Sequence, residues 1–182
     1  MFFASQADKT TAVECLPPHR RYTKILFCDK YRNSARVCRL GDYMDNVSES
    51  AAHHRLVMSL MAFMSNTGYQ IIAADGVEGY SSPKVVGNKN KLGDGQDKQP
   101  DIIGYHSVSG RYANGEIKIG DDVMTDHSKT QFALFSTLYN VANNVPSILF
   151  IGIPATEKTS LDSTLQEIRG MADLSKIQIV TF

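Results

Sequence analysis

Two acids and one base lie within an otherwise apolar stretch of this sequence. Residues 99–120 read QPDIIGYHSVSGRYANGEIKIG, in which Asp101 precedes one apolar strand and Glu116 and Lys118 lie inside the next. Because strand side chains alternate between two faces, Glu116 and Lys118 are predicted to share a face. Charged groups inside a sheet are costly unless they are paired or put to use. The pattern therefore indicates a functional site.

The loop between these strands predicts where Asp101 lies. Gly110 provides a turn signal, and folding the chain about Val108 and Ser109 places residue 101 opposite residue 116. Directly opposed residues have Cβ atoms about 5 Å apart, and two carboxylates at that distance repel each other unless a cation lies between them. Mg²⁺ takes oxygen ligands, often one or two carboxylates together with phosphate oxygens. The spacing therefore predicts a metal-dependent phosphodiester site.

Composition limits the class of protein. The 182 residues are 42% apolar and 21% charged, which is typical of one soluble globular domain. The 19 basic and 19 acidic residues cancel, so a surface that binds nucleic acid must be local. The first residues do not resemble a secretory signal, and no segment approaches the ~20 apolar residues of a membrane span. An odd number of cysteines, three, disfavours a secreted disulfide framework and favours a cytoplasmic location. Read together with His19, the spacing of these cysteines does not favour a zinc site.

Hydrophobic periodicity predicts an α/β fold in a single domain. A mixed sheet with helices on both faces is expected, with residues 1–47 as an N-terminal β-hairpin extension, 48–154 as the core and 155–182 as a C-terminal helix and strand. The predicted hairpin strands are residues 22–31 and 35–43, and the first helix begins at Ser48 and ends at 66–68. The remaining elements are a strand at 69–74, a long loop at 81–100, the hairpin, a helix at 128–143, a strand at 147–154, a helix at 160–174 and a strand at 176–182. The buried stripe of the 128–143 helix is predicted to be Phe132, Phe135, Leu138, Tyr139 and Ala142.

These residues resemble the PD-(D/E)XK nuclease superfamily. The resemblance lies in Pro100-Asp101, the hairpin, and Glu116-Ile117-Lys118. The predicted α-β-β-β-α-β order over residues 48–154 is similar to the restriction-endonuclease-like core of that superfamily. Glu49 and the short hairpin look most like the Holliday-junction-resolvase and VRR-NUC branches. The resemblance implies hydrolysis of DNA phosphodiesters, on branched or structured DNA, with RNA left open as a substrate; a homodimer is expected because two strands must be cut.

The resemblance also implies residue roles. Asp101 and Glu116 would bind Mg²⁺ or Mn²⁺, with the carbonyl oxygen of Ile117 as a third ligand. Lys118 would orient the attacking water or help to deprotonate it, and would offset charge on the phosphorane. Glu49 would complete the metal shell through a water or a second metal. Gln131 matches a glutamine often found after the E-x-K strand in VRR-NUC type enzymes.

Each candidate residue also has an alternative, structural interpretation. Glu116 and Lys118 could form a solvent-facing strand edge with Asp101 capping a turn. An acid at a helix N-terminus is favoured by the helix dipole, which explains Glu49 without catalysis. A capping box, Ser128-Lys129-Thr130-Gln131, explains Gln131 equally well. The remaining acids, Asp75, Glu78, Asp121 and Asp122, are most simply turn or loop acids, while His53 and His54 belong to the helix, one inward and one outward.

A basic loop lies before the hairpin. Residues 81–99 carry several lysines which, together with an arginine across the hairpin, are candidates for phosphate contacts beside the site. These candidates are Lys84, Lys89, Lys91, Lys98 and Arg111. A solvated flexible loop is the alternative. At the level of the whole protein, the alternative to a nuclease is a non-catalytic nucleic-acid-binding or structural protein that retains the fold.

Overall fold

A five-stranded mixed sheet forms the centre of the structure. In this computed structural model residues 40–182 are described, with side chains from Ser50 onward, and they belong to one unit, Cys38–Phe182. The strands are β1 (Gln70–Ala74), β2 (Ile102–His106), β3 (Arg111–Ile117), β6 (Ile148–Ile153) and β7 (Ile177–Thr181), which lie side by side in that order. The first three are antiparallel, whereas β6 runs parallel to β3 and β7 parallel to β6. The predicted α/β class with a mixed sheet is therefore confirmed.

Helices cover both faces of the sheet. Helix α1 (Leu40–Asn66) packs Leu60 and Met64 against Ile102, Ile117 and Phe150 on one face. Helices α2 (Asp126–Ser136) and α3 (Lys158–Glu167) cover part of the other face, where a second buried cluster includes Phe132, Phe135, Leu149, Ile151 and Leu161. The alternation along β3 places Ile117 on the α1 face and its neighbour Glu116 on the α2 face. Because Ile117 packs in the buried cluster beneath α1, the Glu116 side chain must lie on the opposite face of the sheet.

The hairpin has the register that its sequence predicts. Ile102 pairs with Gly115 and His106 with Arg111, so residue 101 lies opposite residue 116. Gly110 has φ +66°, a conformation that glycine adopts readily, and its N–H donates to the His106 carbonyl to close the turn. The predicted strands at 69–74, 147–154 and 176–182 are likewise confirmed as β1, β6 and β7.

The first helix is longer than predicted. It is already helical at Leu40 rather than from Ser48, so the end of the strand predicted at 35–43 is wrong. Residues 42–66 contain neither glycine nor proline, and nothing in that stretch interrupts the helical hydrogen bonds. The rest of the predicted N-terminal hairpin, together with the three cysteines, lies outside the described residues.

Two later helices end earlier than predicted. Helix α2 stops at Ser136, not at 143, and the N–H of its C-cap residue, Thr137, donates to the Leu134 carbonyl. A short hairpin follows, with β4 (Tyr139–Asn140) paired to β5 (Val145–Pro146). Tyr139 and Ala142 are therefore exposed, not part of a buried stripe. Helix α3 likewise ends at Glu167 rather than near 174, three residues before Gly170.

The long loop before the hairpin is organised by specific hydrogen bonds. Val86 and Lys98 pair as an isolated antiparallel bridge. Between them, the side chain of Asn88 bonds the backbone of Leu92, and the Asp94 N–H donates to the Thr130 hydroxyl of α2. The loop is therefore tied both to itself and to α2. Among the residues described, no helix is both long and apolar enough to cross a membrane.

Candidate active site

The start of β2 and the end of β3 bring Asp101 beside Glu116. The Asp101 N–H donates to the Gly115 carbonyl at 3.1 Å, and Asp101 Oδ2 accepts from the Ile117 N–H at 2.7 Å. The Asp101 carboxylate is thus clamped against the β3 backbone, next to the residue whose side chain it was predicted to face. Glu116 itself is fully buried.

Lys118 lies on the same side of the sheet as Glu116. Its Nζ is 3.4 Å from Glu116 Oε2 and 3.3 Å from Asp122 Oδ2, and the residue is 6% exposed. Its backbone N–H donates to the Gly152 carbonyl of β6, which continues the parallel pairing just beyond β3. The predicted shared face of Glu116 and Lys118 is therefore confirmed, and a solvent-facing strand edge is excluded by their burial.

The surroundings of the Glu116 carboxylate disfavour its charged form. Burial raises the pKa of Glu116 well above its ordinary value of 4.5, and the nearby Asp101 carboxylate raises it further. The Lys118 ammonium opposes both effects without cancelling them. Among the described residues, neither carboxylate oxygen of Glu116 has a hydrogen-bond partner. A buried carboxylate in this state favours either a proton or an additional cation.

Lys118 remains a cation despite its burial. Burial lowers the pKa of Lys118, but the carboxylates of Glu116, Asp122 and Asp101 outweigh that effect and leave the pKa raised above 10.5. At neutral pH the side chain therefore carries a proton that it does not release readily. That property suits a donor to an anionic oxygen better than a proton acceptor.

His53 joins the cluster from α1, and sequence reasoning missed its contact. Its Nε2 lies 3.6 Å from Asp101 Oδ2, whereas the neighbouring His54 is exposed. The adjacent Asp101 carboxylate raises the pKa of His53 above 6.5, against the opposing effect of partial burial. Helix spacing offered a signal, because His53 lies one turn after Glu49. Glu49 itself is helical, but its side chain lies outside the described residues.

Asp122 is the second residue whose role the sequence did not reveal. It lies in a 3₁₀ helix, Gly120–Met124, and its Oδ1 accepts from the hydroxyls of Thr125 and Ser128. Those bonds direct Oδ2 toward Lys118, four residues earlier. Asp122 is therefore more than a loop acid, while its neighbour Asp121 is exposed.

Gln131 is buried on α2 in a position that capping does not explain. The N-cap of α2 is Thr125, whose hydroxyl accepts from the Ser128 N–H, so the capping box predicted at Ser128 is wrong. Gln131 lies beyond the first turn, is 4% exposed, and its Nε2 is 3.5 Å from the Gln99 carbonyl, two residues before Asp101. Its Oε1 is buried with no hydrogen-bond partner among the described residues.

The five basic candidates occupy different environments. Lys84, Lys89 and Lys91 are exposed. Lys98 is 2% exposed, and its ammonium donates to Asp94 and lies 2.9 Å from His127 Nδ1, so its charge is paired inside the loop. Arg111 starts β3, five residues from Glu116 and hence about 17 Å away along the strand.

Asp75 and Glu78 lie in the turn that follows β1. The Asp75 N–H donates to the Asp101 carbonyl, and its exposed carboxylate accepts from the Gln99 side chain at 3.4 Å. Glu78 is exposed in the turn that follows β1.

The donor set suits a hard divalent cation that takes its remaining ligands from water or phosphate. Asp101 and Glu116 supply carboxylate oxygens, and those of Glu116 have no hydrogen-bond partner among the described residues. The Ile117 backbone lies against the Asp101 carboxylate. Within the part of the chain whose side chains are described, no group of three His, Cys, Asp or Glu residues is arranged to hold a metal by itself.

Comparison of the chain with protein-family models, with curated proteins and with solved structures finds no match in any of the three. The functional assignment therefore depends on the chemistry of the site.

Proposed function

We propose that this protein is a Mg²⁺- or Mn²⁺-dependent nuclease that hydrolyses DNA phosphodiester bonds. The observation that carries the proposal is the buried Glu116 carboxylate, which lies beside Asp101, is paired with Lys118, and lacks hydrogen bonds from the described residues. Apart from the separate β4–β5 hairpin between α2 and β6, the order α1, β1, β2, β3, α2, β6 supports the restriction-endonuclease-like core that the PD-(D/E)XK resemblance implies.

The metal would be held by Asp101 and Glu116, with the Ile117 carbonyl as a third ligand. When bound, such a cation lowers the pKa of a coordinated water and offsets negative charge at phosphorus. A bound cation would favour the charged form of Glu116, because it supplies the countercharge that opposes the effects of burial and of Asp101 on its pKa. Glu49, one helical turn before His53, is the proposed additional ligand through a water or a second metal.

Lys118 would act as an electrostatic donor. Its ammonium is charged at neutral pH and is held in place by Glu116 and Asp122. It can donate to the attacking water or to a non-bridging phosphate oxygen, where charge grows in the transition state. Two carboxylate partners restrict its motion, so the donor is positioned before substrate binds.

His53 adds an imidazole to the described part of the cluster. Its pKa is raised from 6.5, and its ring is 43% exposed beside Asp101. A group of this kind can take up the proton that an attacking water releases. Gln131, whose buried Oε1 has no hydrogen-bond partner among the described residues, is suited to orienting that water.

Substrate and assembly follow from the resemblance and from the loop. Branched or structured DNA is the proposed substrate, with RNA as an alternative, and a homodimer is proposed for cutting two strands. The exposed Lys84, Lys89 and Lys91 are proposed phosphate contacts. Lys98 would contribute only if its ion pair with Asp94 opened, and Arg111 only to DNA that extends along β3.

The test is a substrate panel. Purified protein is incubated with linear, circular and four-way-junction DNA, and with single-stranded RNA, in Mn²⁺ and in a chelator. The proposal expects Mn²⁺-dependent cleavage of at least one DNA substrate, which the chelator abolishes. Cleavage that persists in the chelator, or no cleavage of any DNA, contradicts it.

A non-catalytic protein with the same fold is the second candidate. It is favoured by the pairing of Lys118 with two carboxylates and by the lack of three clustered His, Cys, Asp or Glu side chains among the residues described. Such a protein would bind DNA at low salt without cutting it, or would neither bind DNA nor be stabilised by Mn²⁺. Affinity and thermal stability, measured beside cleavage, separate the two candidates.

A further inference from the structure

A cavity opens on the face of the sheet that also carries Glu116. It has a volume of about 620 Å³ and lies beyond α2, between the edge of the sheet and the β4–β5 hairpin. Its lining includes Ile103, Tyr112, Asn114 and Tyr139. The volume falls within the range of small-ligand sites, and the mixture of apolar walls with a few polar groups is typical of them.

Asn114 is the polar group that points to a ligand. It is 5% exposed, lies in the middle of β3, and lines the cavity. Because Asn114 lines the cavity, its side-chain amide can form hydrogen bonds to a molecule bound there. An amide presents one acceptor and a pair of donors in a plane, which matches the edge of a nucleobase.

Two tyrosines give the cavity aromatic surfaces. Tyr112 is 37% exposed and packs its ring 5.0 Å from that of Tyr105, while Tyr139 on β4 is 57% exposed. Exposed aromatic rings at a concave site are the surfaces on which nucleobases stack. Lys84, also part of the lining, places a cation where the phosphate of the same nucleotide can reach it.

The cavity and the candidate active site lie on the same face of β3. Asn114 and Glu116 lie two residues apart on the same face of β3, a separation of about 7 Å. A nucleic-acid strand whose phosphate lies at Glu116 therefore has its neighbouring nucleotides within reach of the cavity.

We propose that this cavity binds an unstacked nucleobase of the substrate strand, with Asn114 reading its edge and Tyr112 and Tyr139 packing on its face. The inference rests on the proposed nuclease function, because it assigns a subsite to the same substrate. It implies that the enzyme acts on single-stranded or distorted DNA, in which a base can leave the helix at low cost.

The first experiment uses nucleosides, which lack phosphate and do not depend on the metal site. Adenosine, guanosine, cytidine and thymidine are titrated into the ¹⁵N-labelled full chain without divalent metal, and side-chain amide resonances are followed. At least one nucleoside is expected to shift the Asn114 resonance saturably. Asn114→Leu and Tyr139→Ala should each weaken binding about tenfold. Tyr80→Ala, which removes a tyrosine of 42% exposure outside the lining, should not.

The outcomes separate this inference from the nuclease proposal. Nucleoside binding by a wild-type protein that cuts no DNA in Mn²⁺ keeps the cavity inference and rejects the nuclease. A protein that cuts DNA but shows no nucleoside shift at Asn114 overturns the cavity inference. Equal shifts with p-cresol would also overturn it, because they would indicate a general aromatic site that suits a peptide side chain.

Discussion

Glu116→Gln removes the buried charge while keeping the shape of the side chain. In wild type, Mn²⁺ at 100 times its Kd should stabilise the fold by about 2.7 kcal/mol. For a chain of this size, each 1 kcal/mol moves Tm by roughly 2–4 °C, so the expected rise is about 5–10 °C. The variant should show almost no rise, because a neutral amide is a poor ligand for a hard cation.

Without metal, Glu116→Gln should gain stability relative to wild type as pH rises. The raised pKa of Glu116 contributes stability that is fully present below 4.5 and is lost as pH rises through the raised pKa. Wild type should therefore lose stability relative to Glu116→Gln as pH rises above 4.5. Lys118 keeps its second partner, Asp122, in the variant, so its charge is not left unpaired.

The assay is differential scanning fluorimetry of both proteins from pH 4.5 to 8.5, with Mn²⁺ or with a chelator. Glu157→Gln is the control, because it also neutralises one glutamate, but one whose carboxylate accepts from the exposed Thr156 hydroxyl and is not among the ion-pair partners of Lys118. An equal rise of Tm with Mn²⁺ in wild type and Glu116→Gln would refute the assignment of Glu116 as a ligand. A metal-free Glu116→Gln that is less stable than wild type at pH 8.5 would refute the electrostatic argument.

Three further predictions concern the metal, the lysine and the loop. Asp101→Asn should weaken Mn²⁺ binding at least about tenfold in titration calorimetry, because the neutral amide keeps the acceptor for the Ile117 N–H but loses the charge. Lys118→Met should still bind Mn²⁺, yet its metal-free form should unfold at lower temperature than wild type, because Glu116 loses its closest cation. Combined Lys89→Ala and Lys91→Ala should weaken DNA binding and reduce the slope of log K against log salt by about 0.9 for each phosphate that no longer has a lysine beside it.

Each of these three predictions can be contradicted by a specific result, and two of them have a matched control variant. Asp75→Asn neutralises an exposed neighbouring acid and should leave Mn²⁺ affinity unchanged; equally weakened binding in both variants would mean that the effect is general charge. Failure of Lys118→Met to bind Mn²⁺ would remove the distinction between donor and ligand. Lys176→Ala should leave the salt slope unchanged, and a slope that does not change in the Lys89, Lys91 variant rejects a phosphate-binding role for the loop.

The relative placement of Asp101, Glu116 and Lys118 could be predicted from the sequence because it depends on local geometry. Strand alternation placed Glu116 and Lys118 on one face, and the symmetry of the turn at Gly110 placed Asp101 opposite Glu116. Both inferences needed only the two-residue alternation of side chains along a strand and the position of the hairpin turn. They did not require knowledge of what packs on either face.

The parts that sequence reasoning missed depend on packing between distant segments. His53 reaches Asp101 only because α1 crosses that end of the sheet, and Lys98 is buried because its loop folds back onto α2. The chain after α2 forms the β4–β5 hairpin, in which Tyr139 pairs with Pro146, and helical periodicity does not reveal that pairing. Leu138 and Tyr139 continue the apolar pattern of the helix in the sequence, although in the structure they lie at the start of the β4–β5 hairpin.

The most direct test of the account is the rate of plasmid nicking by wild type and Lys118→Met, measured side by side in saturating Mn²⁺. The account predicts Mn²⁺-dependent nicking by wild type and a rate at least about 100-fold lower for the variant, the usual cost of losing a transition-state donor. Equal rates for the two proteins, or no nicking by a wild-type protein that binds Mn²⁺, would contradict it.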